Sequence, residues 1–145
     1  MLVRNAEIQD LEQVVSLFHD YRAFNQCDNN PMEEVEFIKN RLENNDSTIL
    51  LAIDNGEVVG FTQLYPLFSS TAMKKLFLLN DLYVLPESRG KGAANSLIEK
   101  AKQMAIKENA RGLFLETQAS NKTAQSLYEK VGFVKNDNFF YCMDL

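Results

Sequence analysis

Six consecutive residues, Arg89, Gly90, Lys91, Gly92, Ala93 and Ala94, combine two cations with two glycines where an extended segment hands over to a helix. That combination suits an anion. Residues 76–85 form a nearly unbroken apolar run ending in Leu82, Tyr83, Val84 and Leu85, as expected of a strand buried on both faces, and Pro86 stops it. From Ala94 onward, Leu97, Ile98, Ala101, Met104 and Ala105 recur at helical spacing. The first amides of such a helix lack partners inside it and carry the positive end of its dipole, so backbone donors alone can hold an anion there. Gly90 and Gly92 permit close backbone approach, while Arg89 and Lys91 add charge and directed donors. The chemistry predicted is the grip of a phosphorylated ligand.

Register narrows the ligand class. A dinucleotide fingerprint starting at Gly90 would need a third glycine where Asn95 stands, and no stretch supplies a P-loop. The residues do fit the pattern Arg/Gln-x-x-Gly-x-Gly/Ala, with Arg89, Gly92 and Ala94 in the fixed places. A second segment, residues 121–133, reads as a short helix with Ser120 or Asn121 as N-cap and Gly132 just beyond its last turn. Ala124, Leu127, Tyr128 and Val131 fall on one stripe of it. Asn121, Ala124, Tyr128, Gly132 and Phe133 also fit Asn-x-x-Ala-x-x-x-Tyr followed by Gly-Phe. At this separation the two segments resemble the acetyl-coenzyme A signatures of the GNAT superfamily of N-acetyltransferases, and the order of elements extends the resemblance over essentially the whole chain.

The resemblance implies an α/β fold, the GNAT acyl-CoA N-acyltransferase fold: a central mixed sheet flanked by helices, whose two central parallel strands splay to admit the pantetheine arm. It implies acetyl-CoA as co-substrate and no metal. The pyrophosphate would rest on the turn from Arg89 through Gly90, Lys91, Gly92 and Ala93 to Ala94. The backbone of Leu82, Tyr83 and Val84 would run beside the thioester and supply the oxyanion donor. Asn121, Ala124 and Tyr128 would meet the cofactor from the second signature, with the Tyr128 phenol beside the sulfur.

Amine acetylation sets requirements of its own. A primary amine with a pKa of about 10.4 must lose a proton before its lone pair can attack a thioester, so a base or a water chain is needed. Asp81 interrupts an apolar strand and Glu116 ends the neighbouring one, which makes both candidates for that role. Each would serve equally well capping a loop amide or pairing with a nearby cation. Full proton transfer from a phenol of pKa about 10 to a thiolate whose thiol has pKa about 8.5 is uphill by roughly 2 kcal/mol, so Tyr128 is better read as a hydrogen-bond donor replenished by the ammonium. His19, the only histidine, lies on the first helix and supports no Ser-His-Asp triad; Cys27 has no adjacent base.

The elements that must position these groups alternate along the chain. Strands are expected at residues 2–5, 48–54, 57–68, 76–85, 112–117 and 139–145, and helices at 8–24, from Asn30-Pro31 through Leu42, from Ala94 and at 121–132. Asn30 is the expected N-cap before Pro31. Asn55-Gly56 is a strong hairpin signal, because both positions tolerate positive φ. The helix after residue 92 should carry the chain over to a parallel neighbour of the 76–85 strand.

At 145 residues the chain reads as one domain, with 46% hydrophobic residues to fill a core. A net charge of −5 and a pI near 4.9 make general nucleic-acid binding unattractive. No apolar stretch has membrane-spanning length and the first residues are acidic, so a cytoplasmic protein with no membrane partner and two reduced thiols, Cys27 and Cys142, is expected. Between Asp20 and Asp46 seven acids face three bases, which would attract a cationic acceptor such as a polyamine or a lysine side chain, or simply form a solvated face. Tyr21-Arg22-x-Phe24, Leu64-Tyr65-Pro66 and the segment from Leu79 to Val84 resemble a GNAT branch that includes fungal enzymes acetylating histones and polyamines. Those relatives are oligomers, and the apolar strand at Phe139-Phe140-Tyr141 is expected to suit a homodimer edge. An acetyl-CoA-binding module without catalysis is the alternative reading.

Overall fold

Side chains alternate to the two faces of a strand, so a sheet with apolar residues on both faces needs helices on both. That is the architecture found in a computed structural model describing residues 1–145. The elements run β1 (Leu2–Asn5), α1 (Leu11–Phe24), α2 (Pro31–Asn44), β2 (Thr48–Asp54), β3 (Glu57–Ser69), β4 (Lys74–Val84), α3 (Ala93–Lys107), β5 (Leu113–Phe114) and α4 (Lys122–Lys130). The sheet order is β1-β2-β3-β4-β5, antiparallel except for the parallel pair of β4 and β5. On one face Leu97, Ile98 and Ala101 of α3 pack on Leu50, Leu64, Leu79 and Val84; on the other, Val14 and Phe18 of α1 and Ile38 of α2 pack on Leu51, Phe61 and Tyr83. The mixed sheet and the crossover through α3 agree with expectation. Asn55 and Gly56 both take positive φ, 51° and 85°, and close the β2–β3 hairpin at the pair Asp54↔Glu57.

Four expected elements differ. Residues 8–24 do not form one helix: Ile8–Asp10 is a single 3-10 turn, fixed because buried Asp10 accepts from Arg4 at 2.7 and 2.8 Å and from the Glu7 amide at 2.8 Å. Asn30 makes no side-chain cap; instead its own N–H reaches the carboxylate of Glu34 at 3.4 Å. The strand expected at 112–117 shrinks to Leu113–Phe114, pairing only at Phe77↔Leu113 and Leu78↔Phe114, because β4 and the chain after Phe114 then part company. Residues 139–145 form no strand, since no neighbouring backbone offers them a ladder, and Phe139, Phe140 and Tyr141 are exposed.

Glu34 is the pin between α1 and α2. Its buried carboxylate accepts from Arg22 at 3.0 Å and contacts His19 Nδ1 at 2.9 Å, so His19 is tied to α2 rather than idle. Burial pushes the carboxyl pKa up, yet the His19, Arg22 and Asn30 hydrogen bonds outweigh it and leave the value lowered.

A β-bulge phases the central strand. Gln63 pairs with Asp81 but Leu64 with Leu79, so Asn80 is an extra residue on β4. Before it Phe77 and Leu79 face α3; after it Leu82 and Val84 do, while Asp81 and Tyr83 turn toward α1. The carbonyls at the bulge are occupied, that of Asp81 by Thr62 Oγ1 at 2.7 Å and that of Asn80 by the Tyr21 hydroxyl at 3.4 Å.

Close approach fixes one glycine beside this strand. A Cβ at Gly60 would lie 2.8 Å from the Tyr83 carbonyl oxygen and 3.1 Å from Val84 Cγ2. Gly60→Ala is therefore expected to cost about 1–3 kcal/mol, read as a lower urea midpoint at unchanged m.

Candidate active site

The end of β4 brings a buried carboxylate to the point where the sheet opens. Asp81 is only 2% exposed. Its oxygens accept from Gln63 Nε2 at 2.6 Å and Asn80 Nδ2 at 2.8 Å, and the Tyr21 hydroxyl adds a further stabilising contact. Gln63 is itself fully buried, and Ser47 Oγ donates to its Oε1 at 2.9 Å. That bond fixes the amide the right way round, with its NH₂ aimed at Asp81. Burial drives the Asp81 pKa up and the three hydrogen bonds pull it partly back, leaving it raised. The same charge and burial act on the neighbouring phenols: Tyr65 is pushed up to about 12, first by burial and then by Asp81. Tyr21 is raised further by burial, by Asp81 and, more weakly, by Cys27 and Tyr128. Tyr21 thus stands within electrostatic reach of both Asp81 and Tyr128.

The phosphate turn has the form its sequence demands. A 3-10 turn at Pro86–Ser88 follows β4, Gly90 and Gly92 adopt φ of 76° and 89°, and α3 begins at Ala93 with no side chain capping its amides. A Cβ at either glycine would meet nothing within 4 Å, so positive φ, rather than a close neighbour in the chain, requires glycine here. Uncapped amides at Gly92, Ala93 and Ala94, with Lys91 alongside, fit a pyrophosphate. Arg89 is partly engaged elsewhere: its Nε donates to the Val84 carbonyl at 3.0 Å and its guanidinium lies 5.5 and 5.6 Å from the Phe24 and Tyr83 ring centroids. The turn is thereby tied to the end of α1. The side chains of Leu82, Tyr83 and Val84 are spent in the two cores, so what these residues offer the cleft is backbone.

The second signature is a helix with both ends fastened. Asn121 is the N-cap, its Oδ1 accepting from the Ala124 amide at 3.1 Å. At the other end Gly132, at φ 109°, reverses the chain; its N–H reaches the Glu129 carbonyl at 3.2 Å and the Phe133 N–H reaches that of Tyr128 at 2.9 Å. This is a Schellman cap, and its hydrophobic contact is the edge-on packing of Tyr128 and Phe133, 5.9 Å between centroids. The Gly-Phe pair therefore locks the ring of Tyr128. Its hydroxyl makes no hydrogen bond within the chain, and half-burial raises its pKa. Glu116, on the chain beyond β5, is exposed and lines a cleft of about 610 Å³ with Tyr128, Phe133 and Phe140.

Tyr21 is coupled electrostatically to both Asp81 and Tyr128, while Glu116 lines a cleft with Tyr128 that Asp81 does not border. Gln63 and Ser47 were not singled out from the sequence. The signal was the polar pair Thr62-Gln63 inside an otherwise apolar strand.

A sheet whose parallel pair splays beside an uncapped, glycine-led helix, with a pinned tyrosine across the opening, is the architecture of a coenzyme A-dependent N-acyltransferase. The chain belongs to the Acetyltransferase (GNAT) family, whose sequence pattern matches residues 11–133. It is 42% identical over all of its length, and 98% of the relative's, to the uncharacterized N-acetyltransferase YhfO of Bacillus subtilis (strain 168). A crystal structure of a probable acetyltransferase, 35% identical, superposes with a TM-score of 0.95 over 100% of this chain and 98% of that one. A predicted acetyltransferase with acetyl-CoA from Clostridium acetobutylicum shares the fold at a TM-score of 0.80 and 20% identity, over 98% and 95% of the two chains. The protein is an N-acetyltransferase, and acetyl-CoA is the donor general to its family. Its residues include no group of metal-binding side chains.

Proposed function

We propose that this enzyme acetylates a primary amine by direct attack within a ternary complex, with Asp81 as base and Tyr128 as donor to the departing sulfur. The observation that carries the reading is the buried Asp81, held by Gln63, Asn80 and Tyr21 where β4 and β5 diverge. Acetyl-CoA lies with its pyrophosphate on the amides from Arg89 to Ala94 and its thioester along Leu82, Tyr83 and Val84. Asn121 serves by capping α4 and Ala124 by placing its first turn. Asp81 takes the ammonium proton, directly or through water. The freed amine attacks the carbonyl carbon, a β4 backbone amide stabilises the oxyanion, and collapse breaks the C–S bond. The thiolate receives a hydrogen bond from Tyr128 and finally the proton that the acylated nitrogen sheds as the amide forms. Because burial raises the Tyr128 pKa, full transfer from the phenol is even less favourable than in water, which supports the donor role. Glu116, exposed and unsupported, is not the base in this scheme.

A cationic acceptor remains the proposal, on narrower grounds than composition suggested. Glu34, Glu43 and Asp46 are paired with Arg22, Lys39 and Arg41, leaving Asp20, Asp28, Glu33 and Glu36 as unpaired acids of this region. Tyr21, Tyr65 and Phe24 supply aromatic surface beside Asp81 and β4. The likeness to the fungal histone and polyamine branch is proposed on the same residues. A cytoplasmic setting is proposed too, supported by two free, exposed cysteines; no helix is long and apolar enough to cross a membrane. The test is acetyl-CoA-dependent thiol release over spermidine, spermine, lysine peptides, aminoglycosides and small monoamines. Selective turnover of diamines or polyamines is expected. Release confined to uncharged acceptors would overturn the cationic assignment, and acetyl-CoA binding with no acceptor-dependent release would overturn the mechanism.

The pinned amide gives a second readout. Gln63→Leu removes a hydrogen bond to a buried carboxylate, so the acid limb of kcat/KM is expected to move up by about one pH unit. Ser47→Ala should move it less, in the same direction. An unmoved limb in Gln63→Leu would mean that Asp81 is not the titrating group.

A further inference from the structure

Arg89 touches more of this protein than a phosphate ligand needs to. Its Nε donates to the Val84 carbonyl at 3.0 Å, and its guanidinium carbon lies 5.5 Å from the Phe24 ring centroid and 5.6 Å from that of Tyr83. The two ring centroids are 6.2 Å apart, so the cation and both aromatics close a triangle. Nη1 and Nη2 make no hydrogen bond within the chain, which leaves donors for a diphosphate on the turn that Arg89 begins. Lysine could not hold these places together, having neither a planar face to lay on two rings nor a second nitrogen along its stem. Phe24 needs such a contact. It is the last residue of α1 and 60% exposed, and a helix end frays unless side chains fasten it. The amides of Asn25, Gln26 and Cys27 close that last turn on the carbonyls of Tyr21, Ala23 and Arg22 at 3.1, 3.0 and 2.9 Å. One turn earlier on the same helix, Tyr21 reaches Asn80 and Asp81. Phe24 and Tyr83 therefore continue, toward the end of β4, the wall that Tyr21 begins beside the carboxylate.

We propose that Arg89 is a positioning residue for the amine acceptor: through Phe24 it seats the last turn of α1, and it does so more firmly when a cofactor diphosphate holds the guanidinium. This rests on the reading above, in which the turn carries acetyl-CoA and α1 faces the amine. With its terminal nitrogens on phosphate oxygens and Nε on the Val84 carbonyl, the side chain loses its freedom to swing. The flat cation then becomes a fixed floor under the Phe24 ring, and the acceptor meets a formed wall. Phosphate oxygens also neutralise a charge that would repel an ammonium passing Phe24 on its way to Asp81. The coupling runs both ways, since whatever factor the cofactor adds to acceptor affinity the acceptor adds to cofactor affinity.

Coenzyme A is the probe, and hydrogen exchange is the first readout because it needs no acceptor. Saturating coenzyme A is expected to slow exchange of the amides at residues 25–27 by about fivefold or more in the wild-type enzyme, together with those of the turn at 90–94. Arg89→Lys keeps a charge for the phosphates but not the stacked fork. At coenzyme A concentrations that saturate this variant by calorimetry, the turn should still be protected while residues 25–27 slow by less than about twofold. Kinetics with spermidine as acceptor give the second readout. Phe24→Ala and Arg89→Lys should each raise the acceptor KM by about tenfold, much more than they lower kcat, and the double variant should be no worse than the worse single one. Phe24→Tyr, which keeps the ring, should restore the wild-type KM. Protection of residues 25–27 that survives in Arg89→Lys, its absence in the wild type, or additive effects on KM would each overturn the coupling. The expected exchange pattern without turnover of spermidine would sustain the coupling and count instead against the acceptor proposed above.

Discussion

Asp81→Asn is expected to lower kcat/KM at neutral pH by about 10² to 10⁴-fold, the range for loss of a positioned general base. The side chain is nearly isosteric, its amide oxygen can still accept from Gln63, and Asn80, which is exposed, can turn its amide away. Stability should move the other way. Burial leaves the folded pKa above that of the unfolded chain, so in the window between the two the native state retains a proton that the unfolded state has released. Stability contributed by the neutral acid is therefore present below an unfolded pKa of about 3.9 and is lost as pH rises through the folded value. At neutral pH the charge opposes folding, and the Asn variant should show an equal or higher urea midpoint. Its acid limb in kcat/KM should vanish. Near-wild-type kcat/KM with the limb intact would remove Asp81 from the mechanism, and a comparable loss in Glu116→Gln would transfer the role to that residue.

Tyr128→Phe is expected to reduce kcat by about 10 to 1000-fold with little change in acetyl-CoA affinity. The phenyl ring keeps the contact with Phe133 that closes α4, so the lost atom is only the hydroxyl, which has no partner elsewhere in the chain. Tyr128→Ala would confound two effects by removing the cap contact as well. Single-turnover measurements separate the chemical step from release, and a Phe variant with unaltered single-turnover rate would show that the hydroxyl plays no part at the sulfur.

Much of this arrangement was legible from residues alone because local chemistry dictated it. The Asn55-Gly56 turn and the Asn121 and Gly132 ends of α4 are short-range consequences of residue type, and each is found as expected, whereas Gly90 and Gly92, read for close backbone approach, are required within the chain by positive φ. The parallel pairing of β4 with β5 followed from an intervening helix. What escaped depends on long-range partners. Residues 139–145 have every local mark of a strand, but a ladder needs a neighbour, and this chain supplies none to them. Glu34, one of the seven acids between Asp20 and Asp46 expected to attract a cation or form a solvated face, is the buried pin joining α1 to α2, which no periodicity announces. Gln63 is a polar residue in a strand until Asp81 is brought to 2.6 Å from it by pairing across the sheet.

The extra residue at Asn80 makes β4 two half-strands spliced out of phase, and this has a consequence for how the protein can vary. Deleting Asn80 would join the halves into one regular strand and leave Asp81 and Tyr83 on the α1 face and Leu82 and Val84 on the α3 face, because Gln63↔Asp81 and Leu64↔Leu79 are already successive pairs along β3. The carboxylate would keep its side of the sheet yet lose the Asn80 amide that donates to it and the Asn80 carbonyl that receives the Tyr21 hydroxyl. A one-residue change in a paired strand ordinarily turns every side chain beyond it to the other face. Here the bulge absorbs that turn, so the presence of a residue at position 80 sets how the carboxylate is held and not the face it occupies.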